Sequence, residues 1–172
     1  AHENNIILNI STIEDIDEIN SYFLLNGACP RYHLKFDTGM TRLGFNLKDA
    51  SLIYGNLNKN IVTYLEGVYT HFATADEGDL SYATKQLKNF KTVIEKAHEY
   101  GIKFKNIHCS NSGAIINIKD SYFNMVRVGM LLYGALPSNE VKDNIGIKPV
   151  MSFYGSIVNV RKVKKGTHIS YG

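Results

Sequence analysis

Short runs of β-branched and aromatic residues alternate along most of the chain with longer segments in which apolar residues recur at helical intervals. The first short run, IILNI at 6–10, predicts a strand, and the apolar residues from Ile13 to Phe23 predict a helix with one buried face. Ser11 and Glu14 have the spacing of a capping box at the start of this helix. Such an alternation is typical of βα units around a parallel sheet.

The same alternation continues to about residue 130. Gly101 follows the longest predicted helix, at a position where glycine readily adopts the left-handed backbone that ends a helix. The sequence therefore predicts an α/β fold. Its further predicted strands are at 32–37, 65–72, 106–110 and 125–129, and its further predicted helices cover about 47–57 and 80–100.

After Pro149 the pattern changes to a long alternating run, VMSFYGSIVNVRKV at 150–163, which predicts antiparallel strands with one solvated face. We therefore place a domain boundary near 147–150. Residues 1–147 are expected to form one α/β domain, and 148–172 the first strands of a mostly β domain. Because about five strands with intervening helices are too few to close a barrel, we expect both domains to be incomplete in this sequence.

Composition and charge exclude several classes of partner. The formal net charge of +3 is spread over interspersed acidic and basic residues, so nothing indicates binding to nucleic acid or to an anionic membrane. Cys29 and Cys109 form no CxxC pair, which argues against a disulfide framework or a cysteine-rich metal site and favours a cytoplasmic location. No apolar run approaches the roughly 20 residues that span a bilayer, so we expect no membrane contact by this segment.

Polar residues cluster at or just beyond the carboxyl ends of the predicted strands, where parallel α/β folds bind their ligands. Among these residues are Lys35, Arg42, His71, Ser112 and Arg127, and the others are Asp37, Ser110 and Asn111. Each of them also has a purely structural explanation. Lys35 and Arg42 could belong to structural ion pairs, and His71 could be a hydrogen-bonded core residue. Ser112 could cap a helical turn, and Arg127 could be a buried arginine paired with a carboxylate.

The segment HLKFDTGMTRLGF at 33–45 resembles the HLKxDTGMxRLG segment of bacterial alanine racemases. Further stretches match that family in the same order, and together they cover nearly the whole chain, which makes the match far more specific than a single short motif. These stretches are GVYTHFATADEGD at 67–79, HCSNSGA at 108–114, VRVGMLLYG at 126–134 and KPVMSFYGSIVNVRKVKKGTHISYG at 148–172.

The resemblance implies a fold and an activity. The fold is the C-terminal part of a (β/α)8 TIM-type barrel that binds pyridoxal 5′-phosphate (PLP), followed by the start of a mostly β domain, assembled as a homodimer. The activity is the interconversion of L- and D-alanine, which supplies D-alanine for peptidoglycan synthesis. In this family PLP is attached to a lysine in a KANAYG-like motif, and because no such motif occurs here, we expect the isolated chain to be inactive.

The resemblance also assigns the cofactor contacts. Ser112 resembles the serine that binds the cofactor phosphate, and Gly129 and Met130 resemble the backbone that surrounds it, where glycine permits close approach. Arg127 resembles the arginine that faces the pyridine nitrogen. Because a guanidinium does not readily give up a proton, it makes the ring a weaker electron sink and favours racemisation over transamination. Arg42 resembles the arginine that contacts the cofactor's phenolic oxygen and the substrate carboxylate.

Two further assignments concern charge and proton transfer. Lys35 resembles a lysine that can be carbamylated in this family, which would turn a cation into an anion beside Arg42. Tyr171 resembles the tyrosine that acts, together with the cofactor lysine, as one of two bases on opposite faces of the substrate Cα, and it serves the partner subunit's site. A tyrosine needs polar neighbours to act near neutral pH, and His71 with Arg127 behind it are the candidates.

The sequence departs from the family pattern at two positions, with Thr41 in place of a usual glycine and Gly113 in place of a common alanine. Two alternatives remain open. A serine or broad-specificity amino-acid racemase would share this scaffold, since the side-chain pocket depends partly on segments outside the sequence. A non-catalytic PLP-binding barrel is also compatible with the missing lysine, although such proteins lack a β domain carrying Tyr171.

Overall fold

A computed structural model of the protein describes residues 1–141 and 145–171, and the strands in these ranges form one parallel sheet. Its order is β1-β2-β4-β5, and the short β3 pairs with the carboxyl end of β2. All pairs in the sheet are parallel, as the alternating pattern predicted. The strands are β1 (Leu8–Ile10), β2 (Tyr32–Asp37), β3 (Phe45–Asn46), β4 (Leu65–Tyr69) and β5 (Asn106–His108).

Helices lie between consecutive strands of the β1-β2-β4-β5 order, which confirms the predicted α/β class. The predicted helix at 80–100 is present as the longest one, and it ends before Gly101, whose φ is +72°. None of the helices within the described ranges is long and apolar enough to cross a bilayer. The α-helices are α1 (Ile13–Asn26), α2 (Ala50–Asn56), α3 (Lys59–Val62), α4 (Ser81–Glu99) and α5 (Ser112–Asn117), and short 3₁₀ turns cover Leu47–Asp49, Lys119–Ser121 and Met130–Tyr133.

The start of α1 differs by one residue from its prediction. Thr12, and not Ser11, is the N-cap, and its hydroxyl accepts a hydrogen bond from the Asp15 N–H at 3.1 Å. The Asp15 carboxylate in turn accepts from the backbone N–H groups of Thr12 at 3.0 Å and Ser11 at 2.8 Å. The capping box therefore closes on Asp15 rather than Glu14, because the helix begins one residue later than predicted and Asp15 is the third residue after the N-cap.

The sheet has one apolar and one polar face, since successive residues of a strand point to opposite sides. On the apolar face Leu34, Phe36 and Val68 are fully buried, in one core cluster with Phe90 and Val93 of α4. On the other face the strand register aligns polar residues in rows across the sheet. One row contains Asn9 and His33, and the next contains Lys35, Tyr69 and His108.

The prediction of a strand at 125–129 is wrong, because the structure assigns no strand there. In this segment the Arg127 N–H donates to the Ser110 carbonyl at 2.9 Å, but this single bond lies beyond the end of β5 and starts no ladder. Conversely, β3 was not predicted, because two residues after a loop give no recognisable periodicity.

The predicted strands at 150–163 are also not formed among the described residues. The structure assigns neither helix nor strand to 145–171, and Phe153 and Val158 are 97% and 96% exposed. A strand needs a neighbour for its backbone N–H and C=O groups, and none of the described strands lies beside this segment. The division into 1–147 and 148–172 therefore stays a prediction, and Gly172 lies outside the described residues.

A substitution at Gly67 of β4 tests how closely the polar face is packed. A Cβ at this position would lie 2.7 Å from the Asn106 carbonyl oxygen and 2.8 Å from His33 Nε2, so Gly67→Ala should lower the free energy of unfolding by about 1–3 kcal/mol through overpacking. Gly155→Ala is the control, because nothing lies within 4 Å of its Cβ. Urea unfolding of both variants measures the difference, and equal stability of the two would contradict the packing described.

Candidate active site

Arg127 lies at the centre of the polar cluster beyond the strand ends. Its Nη1 is 2.6 Å from His108 Nδ1, and its Nη2 is 3.1 Å from His71 Nδ1. The same Nη2 donates to the carbonyl oxygens of Thr70 at 2.8 Å and Cys109 at 3.3 Å. The guanidinium thereby joins the segments that follow β4 and β5, and its orientation is fixed from several sides.

The ring of Tyr69 contacts several members of this cluster. It stacks on the His108 imidazole with a centroid distance of 4.8 Å and an interplanar angle of 13°. The Arg127 guanidinium carbon lies 5.2 Å and the Lys35 Nζ 5.6 Å from the ring centroid, which are distances for cation–π attraction. The hydroxyl donates to Asn9 Oδ1 at 2.7 Å. Tyr69 therefore attracts two cations to one ring and is anchored across the sheet.

The hydrogen bonds of Arg127 determine the protonation of two buried histidines. Because arginine can only donate, His108 Nδ1 must accept, and its Nε2 carries the proton that is donated to His33 Nδ1 at 2.9 Å. The Nε2 of His33 then carries a proton as well, and it has no partner among the described residues. Burial, followed by the charge of Arg127, lowers the pKa of His108 to about 3, and burial lowers the pKa of His33. Both rings are neutral.

His71 is neutral for the same reasons, but its second ring nitrogen, Nε2, does not contact another histidine among the described residues. Burial and then the charges of Arg127, Arg42 and Lys35 lower its pKa to about 4. Since Nδ1 accepts from Arg127, the proton of the neutral ring is on Nε2. His71 therefore offers an N–H donor to a ligand or to a neighbouring side chain.

Lys35 is a buried amine on β2, with only 5% of its surface exposed. Burial, Arg42 and Arg127 lower its pKa, and the carboxylate of Asp37 partly offsets this effect. A lysine with a lowered pKa has a larger neutral fraction, which is the nucleophilic form.

The loop after β2 is organised by Asp37. Its carboxylate accepts hydrogen bonds from the backbone N–H groups of Gly39 at 2.8 Å, Thr41 at 3.0 Å and Arg42 at 3.1 Å. Burial alone would raise the pKa of Asp37, but these hydrogen bonds lower it below its usual value. They also hold Thr41 at a φ of +56°, a left-handed conformation that costs a non-glycine residue about 1–2 kcal/mol. The exposed Arg42 is thus presented by a fixed loop.

Ser112 connects the start of α5 to the segment after Arg127. Asn111, not Ser112, is the N-cap of α5, and its side chain accepts from the Ala114 N–H at 3.0 Å. The Ser112 hydroxyl oxygen instead accepts from the backbone N–H groups of Gly129 at 3.0 Å and Leu131 at 3.4 Å. Because both bonds use its lone pairs, the hydroxyl proton remains available to donate to a ligand.

A cleft of about 260 Å³ adjoins this serine and contains most of the predicted site residues. Gly113 also lines it, and a Cβ there would lie 2.8 Å from the backbone of Ala75 and Asp76. The glycine at this position is therefore explained by close packing. The predicted site residues that line the cleft are His71, Ser112, Arg127, Gly129 and Met130.

The structure thus brings most predicted site residues together, with one exception. Lys35 shares the Tyr69 ring with Arg127, and the charge of Arg42 is close enough to lower the pKa of His71. Tyr171 is fully exposed and is not part of the cluster. In the described ranges no group of three or more His, Cys, Asp or Glu residues could hold a metal ion.

Sequence reasoning missed three residues of the cluster, namely His33, Tyr69 and His108. A signal was present for two of them, since His33 lies two residues before Lys35 on β2, and Tyr69 lies two residues before His71 in the segment that was predicted as the strand at 65–72. The two-residue period of strands places such residues on the same face.

Comparison with known proteins assigns a family model to most of the chain. The model described as "Alanine racemase, N-terminal domain" matches residues 1–137. The alanine racemase of Desulforamulus reducens is 41% identical over 175 residues, which cover 100% of this chain and 47% of that protein. The chain therefore spans about half the length of the curated relatives that it matches.

Solved structures are similar in fold. The alanine racemase from Clostridium difficile 630 has a TM-score of 0.73 and 38% identity, with 81% of this chain and 37% of that chain covered. The alanine racemase from Bacillus anthracis, solved with bound L-Ala-P, has a TM-score of 0.70 and 37% identity, with 83% of this chain and 37% of that chain covered. Together with the parallel sheet, these likenesses confirm an α/β fold of the TIM-barrel type.

The neutral, buried state of His108 predicts a pH dependence of stability. The unfolded chain binds a proton at His108 below about pH 6.5, whereas the folded protein does so only near pH 3, so the free energy of unfolding should fall as pH drops from 7 to 5. His108→Gln, which does not titrate, should reduce this slope by up to about 1.4 kcal/mol per pH unit. Urea unfolding at pH 5, 6 and 7 measures it, with the exposed His98→Gln as control. An unchanged slope in His108→Gln would show that the pKa of His108 is not lowered in the folded protein.

Proposed function

Because the chain belongs to the alanine racemase family, to whose N-terminal domain most of its length corresponds, we propose that it is part of a PLP-dependent racemase that interconverts L- and D-alanine. The observation that carries this proposal is the position of Arg127, fixed by neutral histidines and two carbonyl groups beside the free hydroxyl donor of Ser112. A cation and an anion-binding donor at one cleft suit a phosphorylated, aromatic cofactor.

The cleft residues fit PLP by their chemistry. The Ser112 hydroxyl, held by the N–H groups of Gly129 and Leu131, would donate to the phosphate, with the Gly129–Met130 backbone beside it. Arg127 would face the pyridine nitrogen. When bound, PLP withdraws electrons from the substrate Cα so that its proton can be removed. Since Arg127 already donates to several acceptors and keeps its charge, it would hold the ring in place without protonating it.

Substrate binding would fall to the cationic side of the site. Arg42 is exposed on the loop that Asp37 organises, so its guanidinium is available to the substrate carboxylate and to the cofactor's phenolic oxygen. Lys35 and Arg127 stand on the same aromatic ring, where two like charges repel each other. Carbamylation of Lys35 would relieve this repulsion: the neutral amine attacks carbon dioxide, an N–C bond forms, and one proton leaves to solvent.

Proton transfer would use Tyr171 of the partner subunit in a homodimer. Tyr171 is fully exposed on its own subunit, so it is free to contact a second copy. The Nε2–H of His71 can donate to the phenolic oxygen and stabilise its deprotonated form. Racemisation needs a base on each face of Cα, and the second base would be a lysine from a part of the enzyme outside residues 1–172.

We further propose that residues 1–147 are the later βα units of the (β/α)8 barrel, that 148–172 are the first strands of the β domain, and that the enzyme is cytoplasmic. The order of the matched segments and the half-length match to the relatives support this division. Alanine is favoured over serine as substrate because the relatives and solved structures are alanine racemases. A non-catalytic PLP barrel accounts less well for Tyr171.

The catalytic proposal predicts the activity of the complete protein that contains this chain. With PLP and L-alanine it should form D-alanine, and Tyr171→Phe should lower kcat by about 10²–10⁴-fold, because one general base is lost. Tyr154→Phe changes another highly exposed tyrosine in the same segment, so it is the matched control and should retain activity. A coupled assay for D-alanine gives the rates. A higher kcat/KM for L-serine would exclude alanine as the preferred substrate, and full activity of Tyr171→Phe would exclude its role as a base.

The carbamate proposal predicts a covalent carbon dioxide adduct at Lys35. In ¹³C-labelled bicarbonate the wild-type protein should give a carbamate signal in its ¹³C NMR spectrum, since burial favours the neutral amine. Lys35→Arg should lose the signal, and Lys48→Arg, at an exposed site, should keep it. A wild-type spectrum identical to that of Lys35→Arg would mean that the lysine is unmodified.

A further inference from the structure

Helix α4 presents three polar side chains to the loops that carry the site. Tyr82, Gln86 and Asn89 are four and three residues apart, which places them on one face of the helix. The Tyr82 hydroxyl donates to the Gly39 carbonyl at 2.7 Å, and the Asn89 amide donates to the Thr38 carbonyl at 3.2 Å. Both contacts hold the loop on which Arg42 lies.

Gln86 contacts both loops at once. Its Oε1 accepts from the Ala73 N–H at 2.9 Å, and its Nε2 donates to the His71 carbonyl at 3.1 Å and to Thr38 Oγ1 at 3.4 Å. The Thr38 hydroxyl is in turn 2.8 Å from the hydroxyl of Thr70. One amide thus joins the end of β2 to the segment that follows β4.

The burial of Gln86 indicates that these bonds have a purpose beyond filling space. Its side chain is completely buried, on a helix whose other buried residues are apolar. A leucine or methionine would fill the same volume without the cost of burying an amide. The hydrogen bonds of the amide are instead directed at the carbonyl of His71, a predicted catalytic residue, and at the N–H of Ala73 two residues later.

We propose that Gln86 is a positioning residue, which sets the distance between His71 and Arg127 by fixing the backbone of His71. His71 is then held at two points, its carbonyl by Gln86 and its ring by Arg127 Nη2 at 3.1 Å. This inference rests on the proposed function, in which the His71 N–H stabilises the catalytic tyrosine. A displacement of about 1 Å at such a group can lower the rate roughly 10²-fold.

The test compares Gln86→Met with Val93→Ala in the complete enzyme. Methionine keeps the volume of Gln86 and removes its hydrogen bonds, whereas Val93 is an apolar, buried residue of the same helix and controls for lost stability. Gln86→Met should lower kcat for L-alanine by about tenfold or more with little change in KM. Val93→Ala, although destabilised, should retain kcat. If Gln86→Met does not fold, Gln86→Glu takes its place in the test. Glutamate keeps the shape of the side chain and the oxygen that accepts from the Ala73 N–H.

A second readout does not depend on activity. The pKa of His71 is low because of burial and the nearby charges of Arg127, Arg42 and Lys35. If the loop moves, the ring gains solvent and separates from these cations, so its pKa should rise from about 4 toward 6.5, and the acid limb of the kcat/KM profile should move to higher pH. NMR titration of the His71 ring, assigned by its loss in His71→Gln, measures this directly.

The outcomes separate the two proposals. If the His71 pKa rises and kcat falls in Gln86→Met but not in Val93→Ala, Gln86 positions His71. An unchanged pKa and kcat, or equal losses in Val93→Ala, overturn it. If the wild-type enzyme racemises nothing, the proposed function fails, and the NMR titration still decides whether Gln86 fixes His71.

Discussion

The charge of Arg127 is the constraint on which the rest of the site depends. Among the described residues no carboxylate pairs with it, so its N–H groups are satisfied by carbonyl oxygens, imidazole nitrogens and the face of Tyr69. A neighbouring histidine can accept from a guanidinium only when it is neutral. The protonation of His71 and His108 therefore follows from one side chain.

The sheet supplies the geometry for this arrangement. Parallel register aligns Lys35, Tyr69 and His108 in a row on the polar face, while the apolar face packs against α4 and fixes the strands. The loops beyond the strands add the remaining groups. Because α4 both covers the apolar face and contacts those loops through Gln86, core packing and site geometry are coupled through one helix.

Much of this could be predicted from the sequence where the periodicity was long. The strand at 32–37 and the helix at 80–100 are close to their predicted bounds, because each has an unbroken pattern and a recognisable end. The strand at 125–129 was not found, since an apolar run alone does not supply a hydrogen-bonding neighbour. In the site, motif resemblance identified Ser112 and Arg127. His33 and His108 also lie in matched segments, but the resemblance assigned them no role, because their roles arise from contacts between strands that are far apart in the sequence.

The acceptors around Arg127 differ in how much they restrict the sequence. The bonds to Thr70 and Cys109 use main-chain carbonyls, which every amino acid has, so for this purpose those positions tolerate a change of side chain. The bonds to His71 and His108 use ring nitrogens, which few side chains can imitate. The contacts of the guanidinium therefore restrict the side chain at His71 and His108 but not at Thr70 and Cys109, although all four residues contribute to the same contact.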